Sequence, residues 1–178
     1  MTLKKLKIIS FLAVLGLTVL FHFLYEWFPN TLFSILFPVN ESIWEHMKLL
    51  YSGFVIWGIF EYLFLKLFKI KYNNYFYQLF IISISSIILY LVIYLPLYNL
   101  FGALLIINIS FLIIVIGLEE IFSYYLLKDK DSVTILNKVS IIMIILFYFV
   151  FLTFTYNPPK NYLFYDTAHK KYGINIKS

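Results

Sequence analysis

The sequence predicts an all-α integral membrane protein, built as a bundle of five transmembrane helices. Of its 178 residues, 62% are hydrophobic, 22% are aromatic and 13% are charged, whereas a soluble domain carries about 25% charged residues. Apolar runs long enough to cross a bilayer recur along the whole chain, and the mean hydropathy is +0.89. The same pattern predicts a short interfacial or re-entrant element and a C-terminal extracytoplasmic tail.

Each of the five predicted spans approaches the ~20 residues that a tilted helix needs to cross a bilayer. The spans are residues 8–28, 43–68, 75–95, 100–127 and 133–156, in a single transmembrane domain, 1–178, with the tail at 157–178. The first has the basic start of a signal peptide, but its apolar run continues to Phe28 without a cleavage site, which indicates a retained span. Pro96, Asn99 and Gly102 predict a short turn between the third and fourth spans.

The distribution of lysine predicts the orientation of the chain. The net charge of +5 comes from lysine alone, because the sequence contains no arginine. Nine of the 14 lysines lie on one predicted side of the membrane: Lys4, Lys5, Lys7, Lys66, Lys69, Lys71, Lys128, Lys130 and Lys138. Because cytoplasmic loops are enriched in lysine, the N-terminus is expected in the cytoplasm and the C-terminus outside, although the lysines of the tail oppose this orientation.

Composition also limits the partners and the chemistry. The lipid bilayer is the expected partner, and no protein partner is indicated. Nucleic-acid binding is not expected, because the chain lacks arginine and has no soluble basic domain. The absence of cysteine excludes disulfides, thiolate metal sites and cysteine nucleophiles.

Two further elements are expected on the outer side. The apolar segment 30–37 is too short to span, and it predicts an interfacial or re-entrant helical turn capped by Asn30 or Thr31. After the fifth span, Pro158 and Pro159 end the helix, and the aromatic residues that follow suit the level of the lipid head groups. The tail is therefore expected to fold back along the membrane.

Histidine and carboxylate residues are the main candidates for a chemical site. All three histidines are predicted on the outer side of the membrane, and ionisable groups at a membrane are functional candidates. His22 and Glu26, and likewise Glu41 and Glu45, are four residues apart, so each pair shares one helix face. Together with His46 they could converge if the first two spans are neighbours. Histidine with carboxylate suits zinc, manganese or iron, and it also suits acid–base catalysis.

A purely structural role explains part of the same stretch. Ser42 and Glu45 fit a capping box, in which both side chains satisfy free N–H groups at a helix start. Trp27 and Trp44 fit the aromatic belt of a membrane protein. Capping explains Glu45, but it does not explain three histidines on one side. Both alternatives stay open from the sequence.

A second polar layer is expected towards the cytoplasm. Glu61 lies sixteen residues beyond Glu45, about 24 Å along a helix. Asn108 and Glu119 fall nearly on one stripe of the fourth span, with Glu120 about 100° away. Such residues either hold helices together or provide an ion pathway, so a proton- or cation-coupled route is the second functional hypothesis.

The segment FPVNESIWEHMKL (residues 37–49), the later Glu61 and the tail NPPKNYLFYDTAHKKYG (residues 157–173) support a family resemblance. They resemble a family of small multi-pass membrane proteins from clostridia and related Gram-positive bacteria, a domain of unknown function. The N-E-S-x-W-E-H-x-K motif carries most of the similarity. The resemblance implies a bacterial plasma-membrane protein, and it implies no reaction or ligand.

Three functions follow as hypotheses. The first is a polar, metal-binding pocket at the outer face, conceived as a metal-assisted hydrolase of a membrane-surface substrate, with a divalent metal such as zinc. Its residues would be catalytic Glu41 and Glu45, metal-binding His22, Glu26 and His46, and a tail lid with Asp166 and His169. The second is a small proton- or cation-coupled transporter, using Glu61, Asn108, Glu119 and Glu120. The third is a structural or accessory subunit of the membrane.

Overall fold

Five helices of the computed structural model are long and apolar enough to cross a membrane, as the sequence predicts. The structure describes residues 1–102, 104–129, 131 and 133–174. The spans are α1 (Leu3–Trp27), α3 (Ile43–Leu67), the continuous helix Tyr75–Phe101, α6 (Leu105–Lys128) and α7 (Thr134–Tyr156). The short helix α2 (Thr31–Leu36) joins the first two spans. A small antiparallel hairpin, β1 (Tyr165–Asp166) and β2 (Lys171–Tyr172), lies in the tail.

The first four spans pack as a ring, and the fifth span packs against the side of that ring. Helix α1 contacts α3 and α6, and the first part of the third span, α4 (Tyr75–Leu89), contacts α3 and α6 from the opposite side. Helix α7 packs against α4 and against the short α2. The interior of the ring is an apolar cluster that includes Val14, Phe54, Leu50 and Val115, all buried. Apolar side chains elsewhere on the spans face outwards, as expected for helices surrounded by lipid.

The starts of α2 and α3 carry the caps that the sequence predicts. The Asn30 side chain accepts from the backbone N–H of Phe33, so Asn30 is the N-cap of α2. Ser42 accepts from the backbone N–H of Glu45 and caps α3. The capping box is only half formed, because Glu45 reaches the N–H of Val39 rather than that of Ser42. The Glu45 carboxylate therefore does not complete the capping box, and it can also bond to other side chains.

The third span does not end at Pro96, in contrast to the predicted turn. Residues Tyr90–Tyr94 form a π-helical turn, and the N–H of Leu95 bonds to the carbonyl of Tyr90. Helix α5 (Leu95–Phe101) continues the span and contains Pro96 as its second residue. The chain turns only at Gly102, with φ of 72°. The wider π turn, which lies just before Pro96, thus lets the helix continue past the proline.

The two ends of the bundle differ in composition. At the lysine end, where α1, α4 and α7 begin and α3 and α6 end, the two loops are tied together. Asn74 donates to the carbonyl of Asp131 and accepts from the N–H of Val133. Eight of the nine lysines named above belong to this end, and Lys130 lies outside the described residues. The opposite end carries His22, His46 and His169, and we call it the histidine end.

The tail folds back onto the histidine end, as expected, and adds the hairpin that the sequence analysis did not predict. The carbonyl of Leu163 accepts from the N–H of Trp44 at the start of α3. The carbonyl of Gly173 accepts from the side chain of Asn40. The tail therefore anchors directly to the loop and helix that carry Glu41 and His46.

Gly173 leaves no room for a Cβ atom where the tail docks, so Gly173→Ala is expected to release the tail. Its φ is 59°, and a Cβ there would lie 2.8 Å from the carbonyl oxygen of Thr155 and 2.9 Å from Pro158. Gly102→Ala is a matched control, because its φ is also positive but no atom lies within 4 Å of the added Cβ. We expect losses of about 3 kcal/mol at Gly173 and about 1 kcal/mol at Gly102.

The measurement is the rate of trypsin cleavage at Lys170 in the two variants and in the wild type, in detergent. The difference of about 2 kcal/mol corresponds to roughly 30-fold faster cleavage of Gly173→Ala than of Gly102→Ala. Equal rates in the two variants would show that the tail is not held by this contact.

Candidate metal site at the histidine end

Three potential metal ligands converge at the histidine end, two from the spans α1 and α3 and one from the loop before α3. One ligand atom each of His22, Glu41 and His46 lies within 4.8 Å of the other two. The imidazole rings of His22 and His46 have centroids 5.4 Å apart. Glu41 lies between them, with 3.4 Å from its Oε2 to Nε2 of His46 and 3.7 Å from its Oε1 to Nε2 of His22. The two histidines are thus close enough to share one ligand.

These separations suit a bridging ion better than direct hydrogen bonds. A hydrogen bond between a ring nitrogen and a carboxylate is normally 2.7–3.2 Å long. Two ligands of a tetrahedral zinc ion, each about 2.0–2.1 Å from the metal, lie about 3.4 Å apart. The His46–Glu41 distance already matches that value, whereas the 3.7 Å between His22 and the other carboxylate oxygen of Glu41 is longer, so His22 would have to move closer to share the ion. Two histidines and one glutamate also form a known catalytic zinc set, which leaves a fourth position open.

His46 is held in the tautomer that a metal requires. Its Nδ1 lies 2.9 Å from the backbone carbonyl oxygen of Ser42, one turn earlier. A carbonyl can only accept, so Nδ1 carries a proton, and in the neutral ring Nε2 presents a lone pair towards Glu41. Metal-binding histidines commonly donate their second nitrogen to a carbonyl in this way. The start of α3 therefore fixes the position of the ring and the tautomer of its neutral form.

Glu41 is positioned by the loop before α3 and by the tail. Asp166 is completely buried and accepts from the backbone N–H of Glu41. It also accepts from the backbone N–H groups of Ala168 and His169 and lies 2.8 Å from Nδ1 of His169. Burial alone would raise the pKa of the Asp166 carboxyl, but these hydrogen bonds outweigh burial and lower that pKa below its ordinary value. The tail residues thus orient Glu41 through its backbone.

A cavity of about 420 Å³ opens beside two of the three ligands, His22 and Glu41. Its lining includes His22, Glu41, Glu26 and His169. The structure groups Glu41 with the two histidines, whereas the sequence analysis had assigned Glu26 as a ligand and Glu41 as a catalytic residue. Glu26 is exposed and faces the same cavity. His169, bonded through Nδ1 to buried Asp166, is also exposed to it, with Nε2 left to exchange a proton.

Glu45, the second predicted catalytic residue, takes part in a buried ion pair instead. Its Oε2 lies 2.6 Å from Nζ of Lys48, and both side chains are almost completely buried. Lys48 also donates to the carbonyl of Ser34 and to Oγ1 of Thr155, and Thr155 donates to Oε1 of Glu45. The pair therefore links α2, α3 and α7, and the bond from Val39 to Glu45 ties the loop that carries Glu41 to it.

The inner polar residues form a separate cluster at the lysine end. Nζ of Lys7 lies 2.6 Å from Oε1 of Glu61 and 3.2 Å from Oε2 of Glu120, with all three side chains buried. Glu61 also accepts from Ser10 and Tyr75. The neighbouring Glu119 is buried as well, with its Oε2 unpaired among the described residues. These contacts join α1, α3, α4 and α6.

Asn108 does not belong to the inner cluster. Its Oδ1 accepts from the hydroxyl of Tyr94, and both residues line a cavity with His46 at the histidine end. Eleven residues separate Asn108 from Glu119, which is about 16 Å along α6. Between the layers, Thr18 donates to Val14 and Ser83 donates to Leu79 within their own helices. The hydroxyl of Tyr51 instead donates to the carbonyl of Ile144 in α7.

Sequence reasoning missed two features of this end. Lys48 was not predicted as a partner of Glu45, although its position three residues later permits an ion pair. Nor were Tyr90, Tyr94 and Tyr98 predicted as site residues, although they line the cavity beside His46. Their four-residue spacing was the available signal, since it places them on one face.

The comparison with protein families agrees with the resemblance. Residues 1–174 match the model of DUF6512, a family of unknown function. The chain belongs to the DUF6512 family. No curated protein and no solved structure matches it. The function of this DUF6512 member is therefore inferred from the geometry of its own side chains.

Proposed function

We propose that this chain is a bacterial plasma-membrane protein that binds a divalent metal such as zinc at its outer face and acts as a metal-assisted hydrolase. The observation that carries the proposal is the convergence of His22, Glu41 and His46, with Nε2 of His46 set as an acceptor by Ser42. Three protein ligands beside an open cavity are typical of catalytic rather than structural zinc sites.

The outer position follows from the charge of the loops. Lysines of the lysine end, such as Lys4, Lys69 and Lys128, are exposed, and loops rich in lysine stay in the cytoplasm. The histidine end then faces outwards, at the level of the lipid head groups. A substrate at the membrane surface, rather than a cytoplasmic metabolite, is therefore the proposed class.

The proposed chemistry assigns separate roles to the residues around the cavity. A metal held by His22, Glu41 and His46 would lower the pKa of a bound water and polarise the scissile bond. Glu26, which faces the same cavity, is proposed as the base that takes a proton from that water. His169, oriented by Asp166, is proposed to return a proton to the leaving group. Glu45 is assigned no chemical role, because Lys48 and Thr155 occupy its oxygens.

The test is zinc binding by the purified protein and its single variants. The protein is stripped with chelator in detergent and titrated with zinc, and folding is checked by thermal melting. We expect about one zinc per chain, with affinity lowered about 100-fold or more in His22→Ala and in His46→Ala, because each loses a ligand.

His169→Ala is the matched control, since it removes a histidine at the same end that is outside the three ligands. Its zinc affinity is expected to stay within about threefold of the wild type. Absence of zinc binding by the folded wild type, or equal losses in all three histidine variants, would contradict the proposed site.

The transporter hypothesis has less support than the outer metal site. It requires a polar route between the inner cluster and the histidine end. The residues packed between them, such as Val14, Phe54, Leu50 and Phe111, are apolar and buried. The inner ion pairs are accordingly proposed to hold α1, α3 and α6 together.

A further inference from the structure

A second cavity adjoins the proposed metal site and has a distinct lining. It encloses about 200 Å³, and Glu41 and His46 form one of its walls. The remaining walls include Asn108 and five tyrosines: Tyr90, Tyr94, Tyr98, Tyr162 and Tyr165. We call it the tyrosine pocket. Its volume is below the ~300–1,000 Å³ of pockets that enclose a drug-sized ligand, so it suits a single ring or head group.

We propose that the tyrosine pocket binds the uncharged sugar head group of a membrane glycolipid. The proposal that the bound sugar is the substrate rests on the proposed metal-dependent function, because the pocket shares Glu41 and His46 with the metal ligands. The proposal that the sugar binds there rests only on the residues that line the pocket. The following features of the pocket support the proposal.

The π-helical turn places three tyrosines in one column. Tyr90 and Tyr94 stack with ring centroids 4.8 Å apart and an interplanar angle of 17°, and the ring of Tyr98 follows 6.0 Å from that of Tyr94. Residues four apart lie on the same face of a helix, so the three rings follow one another along that face. π-helical turns occur frequently at functional sites. The result is a continuous aromatic wall with hydroxyl groups.

The tail supplies the facing side of the pocket. Tyr162 is exposed, and Tyr165 begins β1 next to buried Asp166, which bonds to the backbone of Glu41. The tail is fixed at this point by the bond between the carbonyl of Leu163 and the N–H of Trp44. Aromatic rings from the tail and from the third span therefore enclose the same space.

The chemistry of the lining favours an uncharged, polar ring. None of the described residues that line the pocket is a lysine, so in the metal-free protein an anionic head group would meet the Glu41 carboxylate without a counter-charge. In the metal-loaded protein a cationic group would lie beside the divalent metal and be repelled. An uncharged head group meets no adverse charge in either state. Tyrosine faces offer apolar contact to a ring, and their hydroxyls and the Asn108 amide offer hydrogen bonds. Because Oδ1 of Asn108 already accepts from Tyr94, its amide N–H groups remain as donors.

An apolar extension accounts for the lipid part of the ligand. A smaller cavity of about 60 Å³ shares His46, Tyr90, Tyr94 and Asn108 with the tyrosine pocket. Its other lining residues include Leu49, Leu50, Phe111 and Leu112. This extension accommodates the first methylene groups next to the sugar, which a free sugar would not use.

The experiment is calorimetric titration of the full-length protein in nanodiscs of phosphatidylglycerol and phosphatidylethanolamine, with empty nanodiscs subtracted. The probes are n-hexyl β-D-glucoside, 1-hexanol and hexylphosphocholine, which share the chain and differ in the head group. Binding of the glucoside is expected to be at least about tenfold tighter than that of the other two. Equal binding of hexanol, or tighter binding of hexylphosphocholine, would overturn the proposal.

Variants locate the binding and separate it from the metal. Tyr94→Leu and Tyr98→Leu, the second at a half-buried tyrosine, are each expected to weaken glucoside binding about tenfold. Tyr125→Leu, at an exposed tyrosine of the lysine end, is the control and is expected to leave it unchanged. His22→Ala, which does not line the pocket, is expected to bind the glucoside without zinc. Unchanged binding in both Tyr94→Leu and Tyr98→Leu would overturn the assignment, whatever the result for zinc.

Discussion

Lys48→Met is expected to destabilise the folded protein by about 3–5 kcal/mol, because it leaves the buried carboxylate of Glu45 without its counter-charge. Lys48 is fully buried, and its ammonium group bonds to Glu45, to the carbonyl of Ser34 and to Thr155. Methionine fills much of the space but replaces none of these bonds. The same change is expected to loosen the loop before α3, since Val39 bonds to Glu45.

The measurement is reversible unfolding in mixed detergent micelles, with Lys5→Met as the control at an exposed lysine. Lys5→Met is expected to change stability by less than about 0.5 kcal/mol. The double variant Glu45→Gln, Lys48→Met is expected to be more stable than Lys48→Met alone, because the unpaired charge is gone. A loss below about 1 kcal/mol in Lys48→Met would show that the pair is not a structural link.

Lys7→Met is expected to have a comparable effect at the lysine end, about 3 kcal/mol or more. Lys7 is buried and lies between Glu61 and Glu120, so its removal leaves two neighbouring buried carboxylates without a cation. Ser10 and Tyr75 still donate to Glu61, whereas Oε2 of Glu120 has no partner besides Lys7 among the described residues. Glu120→Gln in the Lys7→Met background is therefore expected to recover part of the loss.

The same unfolding measurement tests this prediction, with Lys4→Met as its control. Lys4 lines the same cavity of about 610 Å³ as Lys7, but it is exposed. If Lys7→Met and Lys4→Met were equally stable, the inner cluster would not join α1 to α3 and α6. Zinc binding is expected to be unchanged in Lys7→Met, because the apolar core separates the two ends.

The sequence predicts the fold class well, for identifiable reasons. Five apolar runs predict five spans, because only helices of that length satisfy their backbone groups within lipid. The caps at Asn30 and Ser42 follow from residue type and position. Pro96 misled the prediction, because a π turn directly before it lets the helix continue. Nothing local in the sequence distinguishes a proline that ends a helix from one that a π turn accommodates.

The candidate site was predictable in its residue types but not in its pairings. His22 and His46 were expected to approach each other, because a short connection makes α1 and α3 neighbours. The choice of Glu41 over Glu26 depends on the loop before α3, whose path is set by Asp166 of the tail and by Glu45. The contact between Asp166 and Glu41 joins residues more than a hundred positions apart, so local spacing contains no information about it. For the same reason the bond between Thr155 and Glu45 emerged only in three dimensions, whereas the three-residue spacing of Glu45 and Lys48 was a local signal.

The two ends of the bundle can therefore be assigned different tasks. At the lysine end, charged groups are buried in pairs that hold helices together. At the histidine end, the buried Glu45–Lys48 pair and Asp166 support an exposed set of ligands beside two cavities. At that end, we propose, His22, Glu41 and His46 bind one metal ion together.

X-ray absorption spectroscopy of the zinc-loaded protein tests that claim most directly. We expect one zinc per chain with two imidazole nitrogens and oxygen ligands, all at about 2.0–2.1 Å. We also expect that one imidazole is lost from the spectrum of His46→Ala and that none is lost from that of His169→Ala. A zinc ion surrounded by oxygen alone, or a spectrum that His46→Ala leaves unchanged, would contradict the shared site.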